Sequence, residues 1–325
     1  MVATGRGSGL GLAVLSAATF GTSGTVGTSL IDAGWAPVSA VTARVAVAAL
    51  VLTPFAVTQL RGRWALLARS ARTVSAYGVI AVAGAQFCYF SALSHLSVGV
   101  ALLLEYLGTV LIVGWLWLRR GQRPRPLTVT GAGSAVLGLV LVLDLTGTHR
   151  LDPVGVLWGL GAAVGLAVYF LVSADTDTAL PPLALAWSGL AVGAVTLAAL
   201  GATGVVHEQA PRVDVSVAGY RISWVLPVLW LSVVAAVVAY AAGIGAARQL
   251  GPKVASFVGL TEVLFAVGFA WAILGQVPAR SQLAGGVLVL TGIVVVRVDE
   301  FRSPTPGAGV SHAAAEPLPP TPGMP

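Results

Sequence analysis

Charged side chains are scarce in this sequence: Asp, Glu, Lys and Arg together make up 9% of its 325 residues. An average soluble domain carries roughly 25% of these residues. Hydrophobic residues account for 57% of the chain, and the mean hydropathy is +0.90. This composition excludes an ordinary soluble domain and predicts a polytopic membrane protein. The excess of 18 basic over 12 acidic residues is then explained by membrane orientation rather than by nucleic-acid binding.

Residues for disulfide, metal and nucleotide chemistry are nearly missing as well. The only cysteine, Cys88, lies in an apolar run, which excludes an intrachain disulfide and a Cys-based metal site. The four histidines fall in predicted loops or in the C-terminal tail, and the sequence has neither a Gly-rich phosphate loop nor a His-Glu zinc motif. A buried base for a serine nucleophile is also missing. We therefore expect no cofactor, no metal, no direct use of ATP and no enzymatic activity.

Long apolar runs predict ten membrane-spanning helices, because about 20 apolar residues cross the hydrocarbon layer. The runs cover residues 9–31, 36–60, 74–94, 98–118, 127–145, 154–173, 183–206, 224–247, 252–274 and 281–298. We expect an all-α polytopic fold with an N-terminus at 1–8, five helices in 9–146, five more in 147–299, and a Pro-rich disordered tail at 300–325.

The distribution of basic residues predicts the orientation. With the N-terminus in the cytoplasm, 13 Lys and Arg residues fall on the inner side and 4 on the outer side. Cytoplasmic loops carry the excess of positive charge in membrane proteins. We therefore expect a multi-pass protein of the cytoplasmic membrane with both termini inside, although the loop between the sixth and seventh spans, which has only acidic charges, departs from the rule.

Part of the first half recurs in the second. Residues 92–142 align without a gap onto 246–296, an offset of 154. The identical pairs include Trp117/Trp271, Gly121/Gly275, Gln122/Gln276 and Pro124/Pro278. Because each half holds an odd number of predicted spans, the copies would cross the membrane in opposite directions. Such inverted repeats are typical of secondary transporters that work by alternating access.

Two acidic residues fall inside predicted spans, Glu105 in span four and Glu262 in span nine. An ionisable side chain in hydrocarbon is costly and by default indicates function. Each glutamate could face a central polar cavity and exchange protons there, with Tyr106 offering a hydroxyl beside Glu105. The alternative is a protonated glutamate that is hydrogen-bonded between two packed helices. At the repeat offset Glu105 aligns with Gly259 and Gly108 with Glu262, so the two carboxylates lie one helical turn apart on equivalent faces.

A basic residue and several amphipathic side chains are further candidates for the same cavity. Arg44 lies about eight residues into span two, where it could bind an anionic group of a substrate, pair with a buried glutamate, or anchor backbone carbonyls. Polar and aromatic candidates are Gln86, Tyr89, Trp115, Trp117, Tyr169, Tyr240 and Trp271. Gln86 and Tyr89 share one helix face because they are three residues apart.

Several diffuse segments carry a family resemblance. They are Phe20-Gly21, PVSAVTAR at 37–44, Ala92-Leu93, LLLEYLGTVL in span four, LDPVGVLWGLGAA before span six and TEVLFAVGFAWAILGQ in span nine. Together they resemble the EamA-type family of the drug/metabolite transporter superfamily, over about 290 residues. Within that family the span-four segment is most similar to threonine/homoserine exporter relatives. The resemblance implies ten helices in two inverted five-helix repeats.

The same resemblance implies amino acids or related small metabolites as substrates, and we expect a secondary exporter of such compounds or of drugs that works by alternating access. Protons could be its coupling ion through Glu105 or Glu262, and the protein could be a monomer or a homodimer in the bilayer. A lipid-carrier flippase or membrane accessory protein of the same fold is the alternative. The sequence departs from the family pattern in spans four and nine, where a mid-helix proline is replaced by the neighbourhoods of Thr109 and Glu262. These two helices therefore lack the usual cause of a kink.

Overall fold

The computed structural model describes residues 3–121, 125–142, 152–175, 180–204, 206, 208–274 and 280–301. This part of the chain is nearly all helical. The helices are α1 (Ala3–Asp32), α2 (Pro37–Leu60), α3 (Trp64–Arg69), α4 (Ala71–Ala76), α5 (Ala85–Leu93), α6 (Val98–Tyr106), α7 (Gly108–Arg120), α8 (Pro126–Val142), α9 (Pro153–Ser173), α10 (Pro182–Ala202), α11 (Val225–Ser232), α12 (Ala239–Gly259), α13 (Thr261–Leu274) and α14 (Arg280–Phe301).

Two π-helical segments and one hairpin complete the described elements. The first π segment is Tyr77–Gly84, and the second is Val233–Val238. Strands β1 (Val215–Val217) and β2 (Tyr220–Ile222) form an antiparallel hairpin between α10 and α11. Helix α14 continues through Phe301, into the region predicted as a tail, and the rest of that predicted tail lies outside the described residues.

Seven helices in the described residues are long and apolar enough to cross a membrane. They are 8–32, 37–60, 71–93, 98–119, 153–173, 182–202 and 225–259. The last is 35 residues long and is interrupted at Gly251, whose φ of 77° is left-handed, so predicted spans eight and nine meet there. Helices α8 and α13, with 17 and 14 residues, are shorter than a typical span. A multi-pass helical membrane protein is confirmed, and the count of ten spans stays a prediction.

Equivalent irregularities occur in both halves of the chain. The first π segment begins at residue 77 and ends at 84, and the second ends at 238, which is 84 plus the repeat offset of 154. Ser97, which precedes α6, corresponds at the same offset to Gly251, which interrupts α12. Because these features are local departures from a regular helix, their recurrence supports the internal repeat independently of residue identities.

The fourth and ninth predicted spans are each interrupted at a point that has no proline. The break falls at Leu107 between α6 and α7, and at Leu260 between α12 and α13. At each break the backbone tightens into a 3₁₀ turn, in which Val110 N–H donates to the Leu107 carbonyl at 3.0 Å and Val263 N–H donates to the Leu260 carbonyl at 3.1 Å. Each helix is therefore interrupted by a 3₁₀ turn, although it lacks the proline that usually causes a kink.

The first helix of each half packs against helices of the other half. Helix α1 packs against α12 and α13, whereas α9 packs against the first π segment, α5, α6 and α7. Close approach depends on small residues. A Cβ at Gly21 of α1 would lie 2.9 Å from the Phe265 Cβ, and one at Gly159 of α9 would lie 2.6 Å from the Leu104 Cβ. This packing places residues from both halves around one central space.

Candidate functional site

A cavity lies where the two halves meet, with about 670 Å³ of space that includes its opening to solvent. The wall combines the middle of α1 with parts of α5, α6, α9, α12, α13 and the first π segment. Seven of the residues singled out in the sequence line it: Gln86, Tyr89, Glu105, Tyr106, Tyr169, Tyr240 and Glu262.

Glu105 lies in the last turn of α6, one residue before its end, and its side chain borders the cavity. Only 8% of the residue is exposed. Within the described part of the chain its carboxylate has no hydrogen-bond partner and no ion-pair partner. A buried carboxylate without a partner is costly, so this position is not explained by helix packing alone.

Glu262 lies in the first turn of α13 and is half-buried. It accepts a hydrogen bond from the Tyr106 hydroxyl, with 2.7 Å between Tyr106 Oη and Glu262 Oε2. Tyr106 is therefore a partner of Glu262 in the other half of the chain and not of its neighbour Glu105. The reason is helix geometry, since consecutive side chains leave a helix about 100° apart. The two carboxylates thus differ, because Glu262 has a donor and Glu105 has none.

Arg44 is buried between the halves, with 1% of its surface exposed. Its Nη1 donates to Ser23 Oγ at 2.8 Å and to Gln86 Oε1 at 2.6 Å, and its Nη2 donates to the carbonyl of Ala235 in the second π segment. The guanidinium also lies 6.0 Å from the ring centroid of Phe20. Among the described residues no carboxylate lies within ion-pair distance of Arg44. Of the roles left open by the sequence, the structure places Arg44 as an anchor of polar and carbonyl groups.

Gln86 connects Arg44 to the cavity. Its Oε1 accepts from Arg44, while its Nε2 makes a long hydrogen bond of 3.4 Å to the Tyr240 hydroxyl. Gln86 and Tyr240 are separated by 154 residues, the repeat offset, so the two copies contribute different side chains at equivalent positions. Arg44 itself does not line the cavity, because Gln86 and Ser23 stand between its guanidinium and the open space.

A family model for EamA-like transporters matches residues 7–144 and again 153–298. The chain belongs to the EamA-like transporter family. Two successive matches agree with the internal repeat and with the position of the cavity between its copies. A solved crystal structure, described only as that of a protein, aligns with a TM-score of 0.67 and 21% sequence identity over 93% of this chain and 99% of the other, which supports the fold alone. No curated protein matches the sequence.

Three tryptophans that the sequence predicted in the cavity wall of this EamA-like protein lie outside the cavity. Trp271 is 54% exposed, and Trp115 and Trp117 are 48% and 51% exposed. They lie on the outward faces of α7 and α13, where other large apolar side chains such as Leu118 are also exposed. The prediction that these rings line the central cavity was wrong. Tryptophan is common on lipid-facing and interfacial surfaces, and the sequence alone does not separate that role from a cavity role.

Several cavity residues of this EamA-like chain were not singled out as site residues from the sequence. Ser16, Phe20 and Ser23 all line the cavity from α1. Their spacing of four and then three residues places them on one helix face, and this periodicity was a usable signal. Gly243 of α12 was also missed, and a Cβ there would overlap the Tyr169 hydroxyl and lie 2.8 Å from Ser16 Oγ. Gly243 is therefore needed for the close fit of Tyr169 against α12.

Tyr169 is the centre of an aromatic cluster in the cavity wall. Its ring centroid lies 5.5 Å from that of Tyr240, 5.0 Å from that of Phe170 and 6.4 Å from that of Phe20. These rings meet edge to face, which is a favoured arrangement for aromatic pairs. The cluster joins α1, α9 and α12, so the aromatic wall of the cavity is assembled from both halves of the chain.

Proposed function

We propose that this protein is a secondary exporter of small metabolites, amino acids or related compounds, that works by alternating access with proton coupling. The observation that carries the proposal is a buried, unpartnered carboxylate, Glu105, in the wall of a cavity built from both halves. In a membrane interior such a group is expected to bind a proton or a cationic ligand. The membrane-spanning helices and the family membership support the transport class.

The proposed transport cycle consists of rocking of two inverted five-helix repeats around the cavity. The lining residues of α1 surround the middle of that helix, so the cavity lies near the middle of the bundle. Helix α1 begins beside α12 near Gly251, where Ser8 Oγ donates to Gln249 Oε1 at 2.9 Å. With both termini in the cytoplasm of the cell, this is the cytoplasmic end of the bundle.

The opposite end of the bundle is closed by side-chain contacts. Trp35, beyond the end of α1, donates from Nε1 to the Pro211 carbonyl at 3.0 Å, and its ring lies 5.7 Å from that of Trp224. His95, after α5, contacts Asp152, before α9. In the proposed cycle these contacts open when the repeats rock, and they close again when the cavity returns to the cytoplasmic side.

The burial of Arg44 argues against the flippase alternative. A carrier for lipid headgroups needs a lateral groove in which a basic residue meets the headgroup from the bilayer. Arg44 is 1% exposed, and both of its terminal nitrogens are bonded within the protein. The side chain is therefore not offered to the bilayer in the described part of the chain.

The proposed function is tested with purified protein in liposomes. We expect the protein to move at least one compound from a panel of amino acids, amines and drug-like compounds out of the liposomes. The rate of this efflux should rise when a pH gradient is imposed across the membrane. Liposomes without protein are the control. If no compound of the panel moves faster than in the control, with or without the gradient, the proposal is wrong.

The contact between His95 and Asp152 predicts a latch at the outer end. His95 Nδ1 and Asp152 Oδ2 are 2.7 Å apart. The backbone N–H of Val154, and next the His95 side chain, lower the pKa of the Asp152 carboxyl below its ordinary value. The stabilisation from this contact is therefore present above the ordinary pKa of aspartate and is lost as the pH falls through the lowered pKa of Asp152. We expect the outer end to open more often in Asp152→Asn. The measurement uses a Ser23→Cys reporter in a Cys88→Ser background, and an impermeant thiol reagent should label this reporter faster in the variant.

Asparagine keeps the helix cap that Asp152 provides to α9, so this variant isolates the ion pair. Asp214→Asn removes a carboxylate from the exposed stretch before β1 and serves as the matched control. Equal labelling rates for the latch variant and the control at pH 6 would contradict the latch.

A further inference from the structure

The charge and the walls of the central cavity identify a class of ligand. We infer that the cavity binds an organic cation, namely a protonated amine attached to an aromatic or apolar body, with Glu105 as its counter-ion. The inference rests on the proposed transport function and specifies its substrate.

The cavity wall carries negative charge only. Glu105 and Glu262 line it, and none of its lining residues is Lys, Arg or His. Glu262 already accepts a hydrogen bond from Tyr106, whereas Glu105 has no partner among the described residues. The groups that face Glu105 from neighbouring elements are Glu262 of α13, Tyr89 of α5 and, at longer range, Arg44 of α2. A bound ammonium group would therefore supply the charge partner that Glu105 lacks.

Arg44 is not available to balance the cavity or to bind an anion. Its Nη1 is used by Ser23 and Gln86, and its Nη2 is used by the Ala235 carbonyl. Its remaining nitrogen, Nε, is buried away from any polar partner in the described structure. A carboxylate on the ligand would thus meet two glutamates and only neutral donors. This arrangement disfavours a simple acid and weakens binding of a zwitterion relative to the amine with the same body.

Aromatic rings make up much of the remaining wall. The rings are those of Phe20, Tyr89, Tyr106, Tyr169, Phe170 and Tyr240. The negative faces of aromatic rings attract cations, and cages of such rings bind ammonium groups. The other lining positions are mainly alanine and glycine, which suit an apolar body. The aromatic wall and the unpartnered carboxylate are separate observations that favour the same ligand class.

Three compounds with the same phenyl body and different charges provide the test. They are 2-phenylethylamine, a cation, phenylalanine, a zwitterion, and 3-phenylpropionate, an anion. We expect purified protein in detergent to bind the amine at least about tenfold more tightly than the acid, with phenylalanine between them, as measured by calorimetry and by the rise in unfolding temperature. Glu105→Gln is expected to reduce the preference for the amine over the acid to less than about threefold. The control variant Glu208→Gln changes an exposed glutamate outside the cavity and is expected to keep the full preference for the amine.

Phe20→Leu provides a second variant that leaves both carboxylates in place. It is expected to weaken binding of the amine more than binding of phenylpropionate, because only the cation gains from the ring face. Equal or tighter binding of phenylpropionate by the unsubstituted protein would overturn the inference. So would an amine preference that survives in Glu105→Gln.

Failure of the inference and failure of the proposed function give different results. If phenylalanine or phenylpropionate is transported in preference to the amine, the inference is wrong and the exporter function stands. If none of the three compounds binds but other members of the liposome panel are moved, the same conclusion holds. If no compound is bound or moved at all, both proposals are wrong.

Discussion

Replacing Glu105 by glutamine is expected to abolish transport driven by a pH gradient. Glutamine is close in size to glutamate and can still form hydrogen bonds, but it carries no charge and exchanges no proton at neutral pH. Because Glu105 is buried and without a partner, no other group in the described structure is positioned to replace its charge at the same point of the wall. We expect the gradient-driven rate in liposomes to fall to less than about a tenth of the rate of the unsubstituted protein.

Two further variants show whether the effect belongs to Glu105. Glu262→Gln keeps an acceptor for the Tyr106 hydroxyl, so it is expected to reduce transport by a smaller factor. Glu208→Gln changes an exposed carboxylate between α10 and β1 and is expected to leave the rate within about twofold. The same dependence on the pH gradient in Glu105→Gln and in the unsubstituted protein would show that Glu105 is a packing residue.

The membrane class and the two carboxylates that line the cavity were predictable because they depend on local composition. An ionisable residue in an apolar run stands out at once, as Glu105 does in LLLEYLGTVL. The internal repeat was also readable, because the offset of 154 recurs without gaps, and the same offset separates Gln86 from Tyr240 across the cavity. In each case the signal lies in the residue types themselves and requires no knowledge of side-chain direction.

Side-chain partners were not predictable, because they depend on how the helices are rotated and where they are interrupted. The Ala235 carbonyl that binds Arg44 belongs to a π-helical segment. Its sequence, VVAAVV, has no feature that distinguishes it from an ordinary apolar helix. The prediction that Trp271 lines the cavity was wrong for the same reason. Its repeat pairing with Trp117 indicates that the two positions are equivalent, but it does not indicate which way the two rings face. Both rings face outward.

The asymmetry of the two carboxylates has a packing explanation. At the repeat offset Gly108 corresponds to Glu262, and a Cβ at Gly108 would lie 2.5 Å from the Ala163 carbonyl oxygen and 3.2 Å from Leu166 Cβ. Helix α9 therefore leaves no room for a second carboxylate at that position in the first half. Gly259, which corresponds to Glu105, itself lines the cavity. Each half thus contributes one carboxylate, at positions one helical turn apart.

Replacing the buried Arg44 by alanine is expected to destabilise the fold more than replacing any exposed arginine of the described residues by alanine. The change removes the donors for Gln86 Oε1, Ser23 Oγ and the Ala235 carbonyl and leaves these groups buried. Hydrogen bonds to charged groups contribute about 1.5–3 kcal/mol each, although relief from burying the guanidinium offsets part of the loss. We expect the free energy of unfolding in mixed micelles to fall by at least about 3 kcal/mol.

Arg119→Ala is the matched control for this prediction. Arg119 is exposed in α7, and its guanidinium lies 5.2 Å from the ring centroid of Trp115. Such exposed cation–π contacts contribute about 0.5–1 kcal/mol, so the control should lose no more than that. Arg44→Lys restores a positive charge but only one donor group, and it is expected to recover part of the lost stability. Equal losses for Arg44→Ala and Arg119→Ala would mean that Arg44 does not hold the two halves together, and its buried contacts would then need a role in transport instead.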